Sequence, residues 1–92
     1  PYMSPELLRG EEASPACDLW ALAVVTYELF AGVHPFGRQG AAFTDTAAVP
    51  DASRMGAGLQ RFFTRALAVE PEARFDSARA FLSAFDDAVA TL

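Results

Sequence analysis

Residues 14–36, which read SPACDLWALAVVTYELFAGVHPF, predict one long helix. Ser14 can cap the first turn, and Pro15 suits the first helical position. Gly32 can adopt the left-handed conformation that closes a helix, and Pro35 follows it. The predicted helix therefore begins at the first proline and ends just before the glycine.

The side chains of this predicted helix, Pro15–Ala31, are apolar around its whole circumference. Such a helix is either buried among other elements or spans a membrane. A membrane span needs about 20 apolar residues, and Asp18 and Glu28 would be costly in lipid. The sequence thus predicts a central buried helix. Its interior side chains are expected to include Trp20, Val24, Val25 and Leu29.

Further helices are predicted around the central one, since no stretch alternates as a strand would. Ser4 and Pro5 begin a short helix. Two later segments repeat apolar residues at helical spacing, and the second begins after Asp76 or Ser77. Their apolar faces comprise Leu59, Phe62, Phe63, Ala66 and Leu67 in the first, and Ala78, Phe81, Leu82, Phe85 and Val89 in the second. The predicted fold is all-α with about four helices, and residues 37–58 are expected to be its most irregular and mobile part.

Composition restricts the class of protein. The chain has 92 residues, enough for at most one domain, and its 52% hydrophobic content excludes disorder. This hydrophobic content is high for the small core that so short a chain can form. It suggests that part of the apolar surface packs against a structure outside this chain. The net charge of −5 argues against a nucleic-acid partner. The single cysteine, Cys17, fits a reducing compartment, so we expect a cytoplasmic location without membrane contact.

Three motifs resemble the large lobe of protein kinases and occur in that family's order. Asp-x-Trp-Ala-Leu from Asp18 and Tyr-Glu-Leu from Tyr27 are similar to the lobe's central helix. PYMSPE at residues 1–6 resembles the end of the activation segment, and LAVEPEAR at residues 67–74 resembles a late signature that ends in arginine. The resemblance implies that residues 1–92 are the C-terminal part of the lobe of a serine/threonine kinase, bacterial in style, and a fragment of a longer protein.

By this resemblance, Glu6 and Arg74 form an ion pair that ties the activation segment to the later helices. The planar guanidinium of arginine matches a carboxylate and can bind it through two hydrogen bonds. The alternative is two unrelated surface charges, since Glu6 in a first helical turn is favourable without a partner.

Four residues of the central helix match scaffold positions of the family. Asp18 would accept hydrogen bonds from the catalytic loop, although a carboxylate near a helix N-terminus is favourable by itself. Val25 and Leu29 would support the apolar column beneath the adenine, or belong to an ordinary core. Trp20 would be part of the same scaffold.

Three residues match the family's substrate platform. Tyr2 and Met3 correspond to the loop that cradles the substrate residue after the phosphorylated one. Glu28 corresponds to an acidic position that contacts basic substrates in some kinases. The alternative for Tyr2 and Met3 is a frayed chain terminus without a role in substrate binding. The alternative for Glu28 is an exposed polar side chain.

Phosphoryl transfer requires a glycine-rich loop, a strand lysine, a catalytic aspartate and a metal-binding aspartate. The chain has no lysine and no GxGxxG, so no catalytic, ATP-binding or metal-binding residue is assigned in it. The resemblance implies that ATP and Mg²⁺ bind to the missing N-terminal part of the kinase domain. The expected partners are that part and a protein substrate, and the expected reaction is transfer of the γ-phosphoryl to serine or threonine. The alternatives are a pseudokinase or protein-interaction module, and an unrelated small helical bundle.

Overall fold

A computed structural model describes residues 2–32 and 55–92 of the chain. These residues form α-helices and no strand, as the sequence predicts. A short 3₁₀ helix precedes the last α-helix. The elements are α1 (Pro5–Leu8), α2 (Pro15–Ala31), α3 (Ala57–Ala66), the 3₁₀ helix Pro71–Ala73 and α4 (Ala78–Ala90). The fold is therefore all-α, and no helix of the described ranges is long and apolar enough to cross a membrane.

The ends of α2 agree with the sequence prediction. The helix begins at Pro15, preceded by Ser14 in extended backbone conformation, but the Ser14 side chain makes no capping hydrogen bond, contrary to the expectation from the sequence. It ends where Gly32 takes the left-handed conformation with φ 78°, and its N–H donates to the carbonyl of Glu28. Ser77 caps α4 by accepting a hydrogen bond from the Ala80 N–H at 3.1 Å. Proline and glycine thus set the limits of α2, while a hydroxyl cap begins α4.

The core lies where α3 packs against both α2 and α4. The apolar face predicted for α3 is buried along its whole length. Phe62 is the centre of an aromatic cluster, with ring centroids 5.0 Å from those of Phe63 and Phe81. Phe75 and Phe85 each lie 5.5 Å from the same ring. On α2, the residues that meet this core are Leu19, Trp20, Ala23, Val24 and Tyr27.

The described residues do not provide the burial predicted for the other side of α2. Trp20 and Val24 are fully buried, but Val25 is 44% exposed and Leu29 is 80% exposed. Because apolar side chains occur all around the helix, the sequence carries no periodic signal of which face is covered, and it could not separate Trp20 and Val24 from Val25 and Leu29. Among the described residues, neighbouring elements cover one face of α2.

Two smaller predictions also need correction. The apolar stripe of α4 does not include Ala78 or Leu82, which are exposed, whereas Ala84 and Ala88 contact the core. Small alanines fit against the bulky rings of α3, and the larger leucine faces outward. Residues 57 and 58, which the prediction places in an irregular segment at 37–58, belong to α3. Residues 37–54 lie outside the described residues.

Candidate functional site

A buried ion pair joins α1, near the beginning of the chain, to the segment between the 3₁₀ helix and α4. Glu6 in α1 is 2% exposed and Arg74, just after the 3₁₀ helix, is 1% exposed. Arg74 Nη1 donates to Glu6 Oε2 at 2.7 Å, and Nη2 donates to Oε1 at 2.9 Å. The predicted contact is therefore present, and it has the two-bond geometry that fixes both side chains.

Arg74 also donates to three backbone carbonyls. Its Nε binds the oxygen of Ala68 at 2.8 Å, Nη1 that of Ala16 at 3.3 Å, and Nη2 that of Val69 at 3.0 Å. A guanidinium has five N–H groups, so these bonds and the two to the carboxylate satisfy all of them. The guanidinium carbon lies 4.8 Å from the ring centroid of Trp20, within cation–π range. One side chain thereby fixes α1, the start of α2 and the segment after α3.

The environment of Glu6 keeps its carboxylate charged. Burial raises the pKa of this carboxyl, but hydrogen bonds from Arg74 and from its own backbone, with the Arg74 charge, lower the pKa below its ordinary value. The Cys17 thiol adds a weaker hydrogen bond to Oε2 at 3.6 Å. Cys17 is thus a buried helix residue that completes the surroundings of the ion pair.

The residues predicted to form a substrate platform are partly brought together. The side chain of Tyr2 hydrogen-bonds to Glu28, and this bond, with a little burial and the nearby negative charge, raises the pKa of the phenol. The Oε1 atom of Glu28 is buried and has no hydrogen-bond partner among the described residues. Tyr2 and Met3 are 43% and 49% exposed. The first residues of the chain and the last turns of α2 therefore share one surface, with the Oε1 atom of Glu28 buried beneath it.

A second surface runs along α2. Asp18, Leu22, Val25 and Leu29 are spaced three or four residues apart, so they form one stripe on the helix. All four are exposed. This α2 stripe contains three of the four predicted scaffold residues, while Trp20 lies in the core. It is an apolar surface with a carboxylate at one end.

Several features of the site had no clear signal in the sequence. Arg74 and Trp20 are far apart in the sequence, and no local sequence pattern predicts their contact. The contact of Cys17 with Glu6 is likewise set by packing. The hydrogen bond of Tyr2 to Glu28 was open to prediction, because both residues had been assigned to one platform. In the described ranges, no three His, Cys, Asp or Glu side chains are grouped as a metal site requires.

Comparison with known proteins gives consistent matches. The family model described as "Protein kinase domain" matches residues 1–85. Aurora/IPL1-related protein kinase 2 of Caenorhabditis elegans is 35% identical over 79 residues, which cover 79% of this chain and 25% of that protein. Serine/threonine-protein kinase Pkn1 of Myxococcus xanthus is 36% identical over 97% of this chain and 14% of its own length. Tyrosine-protein kinase MasK of Myxococcus xanthus is 32% identical over 92% of this chain and 14% of its own length. The chain thus spans a quarter or less of these relatives.

Proposed function

Since the chain belongs to the protein kinase domain family, we propose that it forms the C-terminal part of the large lobe of a serine/threonine kinase. The whole protein transfers the γ-phosphoryl of ATP to a serine or threonine of a protein substrate. Residues 1–92 supply the scaffold and part of the substrate platform. The observation that carries this proposal is the buried Glu6–Arg74 pair, because it holds the segment that begins the chain in one position against the later helices.

The residues of this chain do not fit an ATP–Mg²⁺ site. The chain has no lysine, and its described residues have no cluster of metal ligands. The proposal therefore assigns the nucleotide and the metal to the rest of the protein, which packs on the α2 stripe. Asp18 would accept hydrogen bonds from that part, and Val25 and Leu29 would be buried by it.

The proposed platform comprises Tyr2, Met3 and Glu28. The hydrogen bond to Tyr2 orients the Glu28 carboxylate, whose buried Oε1 has no hydrogen-bond partner among the described residues. The negative charge of this carboxylate supports a preference for substrates with basic residues near the phosphorylated one.

The choice of serine or threonine over tyrosine rests on the resemblance of residues 1–6 and on relatives with serine/threonine names. The matched MasK is named a tyrosine kinase, so the phosphorylated amino acid is the informative measurement. A cytoplasmic location is proposed on the single cysteine alone.

The experiment is to incubate the full-length protein with ATP, Mg²⁺ and a panel of peptides, and to identify the phosphorylated amino acid. We expect phosphoserine or phosphothreonine. Glu28→Gln should raise KM for peptides with basic residues, with a smaller change in kcat. The matched control is Glu72→Gln, an exposed carboxylate after α3. Phosphotyrosine alone would refute the serine/threonine assignment.

The second candidate is a pseudokinase that uses the same scaffold for protein interaction. The observation that favours it is Ala23, which is fully buried on α2 at a position where protein kinases, whose central helix this one resembles, usually have glycine. A full-length protein that is folded but transfers no phosphate would support this candidate.

A further inference from the structure

A groove between α3 and α4 lies away from both surfaces described above. It has a volume of about 380 Å³. Phe62 and Phe75 form its floor, Arg61 and Arg65 lie on the α3 side, and Ala84 and Asp87 lie on the α4 side. We call this feature the α3–α4 groove. Its floor rings are only 4% and 7% exposed, so the accessible wall of the α3 side is the arginine pair.

The two arginines of the groove have unused hydrogen-bonding capacity. They stand four residues apart on α3, and both are exposed. In the described part of the chain, neither has a carboxylate within ion-pair distance, whereas Arg9 and Arg74 each have one. Two positive charges therefore lie close together on a chain whose net charge is −5.

Arg65 is held in position by the groove itself. Its guanidinium carbon lies 4.5 Å from the ring centroid of Phe75. Stacking on a ring face orients a guanidinium and leaves its N–H edges open to a ligand. A donor that is already ordered loses less conformational entropy when it binds.

One end of the groove is closed by direct contact of the helices. A side chain at Gly58 would place its Cβ 2.5 Å from the Thr91 hydroxyl oxygen. The groove therefore extends from this closed end toward Phe75 and Arg65. Its α4 side carries the single charge of Asp87, which can accept a hydrogen bond from a peptide N–H and repels a second carboxylate.

We propose that the α3–α4 groove binds an acidic peptide segment of a partner protein, whose carboxylates pair with Arg61 and Arg65. Charge complementarity favours this occupant, because two guanidiniums separated by one helical turn match carboxylates of neighbouring residues. The Asp87 carboxylate fixes the orientation by excluding the acidic side of the peptide from α4. This proposal is independent of phosphoryl transfer.

The test uses the full-length protein and a random twelve-residue peptide library displayed on phage. Selection is run on the wild type and on the double variant Arg61→Gln/Arg65→Gln. The matched control is Arg79→Glu, which changes the net charge by the same amount at an exposed residue of α4 outside the groove. Melting curves of all three proteins verify that each is folded.

We expect the selected peptides to contain neighbouring aspartates or glutamates. The glutamine double variant should bind the best of them at least about tenfold more weakly, since it loses the charged hydrogen bonds at both positions. Arg79→Glu should change the affinity less than about twofold, because exposed charges away from a contact are screened. Asp87→Asn should strengthen binding.

Two results would overturn the proposal. One is a selection whose peptides lack acidic residues, or that yields no binder. The other is a set of acidic binders whose affinity falls equally in Arg79→Glu and in the double variant, since that pattern indicates attraction to net charge rather than to the groove.

Discussion

At the scale of single residues, Arg74 makes five side-chain hydrogen bonds and a cation–π contact with Trp20. Arg74→Ala removes two bonds to a buried carboxylate and three to carbonyls. Removing one partner of a buried pair typically costs about 3–5 kcal/mol. We therefore expect the full-length protein to lose about this much unfolding free energy in urea titrations. The exposed Arg79→Ala should stay within about 0.5 kcal/mol of wild type. Equal midpoints for the two variants would contradict the structural role of Arg74.

The same pair predicts how stability depends on pH. The folded pKa of Glu6 lies below its ordinary value of 4.5. The unfolded chain therefore binds a proton at higher pH than the folded chain does. The contribution of the pair is fully present above the unfolded pKa and is lost as pH falls through the folded pKa. Between neutral pH and acid, the wild type should lose more stability than Glu6→Gln, as measured by urea midpoints across that range. Parallel curves would show that Glu6 does not titrate with folding.

At the scale of elements, the α2 stripe should behave differently in the isolated chain and in the whole protein. Exposed apolar patches promote association. We expect isolated residues 1–92 to self-associate, and Val25→Thr/Leu29→Gln to reduce this association in sedimentation experiments. In the full-length protein, the same substitutions should lower the melting temperature, because the stripe is proposed to be buried there. Leu92→Gln, which changes an exposed leucine outside the stripe, is the control. A double variant that leaves the full-length protein unchanged would contradict the proposed packing.

The contact of α3 with α4 depends on Gly58. A Cβ at this position would lie 2.5 Å from Thr91 Oγ1 and 3.3 Å from the Ala88 carbonyl oxygen. The Thr91 hydroxyl is itself engaged, since it donates to that carbonyl at 2.7 Å. We expect Gly58→Ala to destabilise the full-length protein by about 1–2 kcal/mol, in spite of the better helix propensity of alanine. Gly58→Ala/Thr91→Ala should recover part of the loss in urea titrations. No recovery would indicate that the backbone contact, rather than the hydroxyl, is limiting.

Sequence patterns predicted where the helices begin and end better than they predicted which helix faces are buried. Pro15 and Gly32 determine where α2 begins and ends, because their backbone preferences act locally. Val25 and Leu29 are predicted to be interior but are exposed among the described residues, since burial depends on which elements lie nearby in space. The Glu6–Arg74 contact was predictable only through resemblance to a family. The stacking of Arg74 on Trp20 was not, because no local pattern encodes an approach between distant residues.

At the scale of the whole molecule, residues 1–92 are proposed to supply the scaffold, and the rest of the protein is proposed to bind the nucleotide and the metal. The isolated chain should not bind ATP saturably at micromolar concentrations or transfer phosphate, because it has no lysine and no glycine-rich loop. The full-length protein should do both. Parallel titrations with ATP and Mg²⁺, with contaminating kinases excluded, test this difference. Phosphotransfer by the isolated chain would refute the assignment of the nucleotide site to the rest of the protein.

The separation of Glu6 and Arg74 by 68 residues also has a consequence during synthesis. At roughly 5–20 residues per second, Glu6 leaves the ribosome about 3–14 s before its arginine does. In that interval its carboxylate lacks the guanidinium, and the Trp20 face of α2 lacks α3. The emerging chain thus carries apolar helix surface with nothing yet available to cover it. Translation speed and early chaperone binding therefore bear on the yield of this protein more than on that of a protein whose contacts are local.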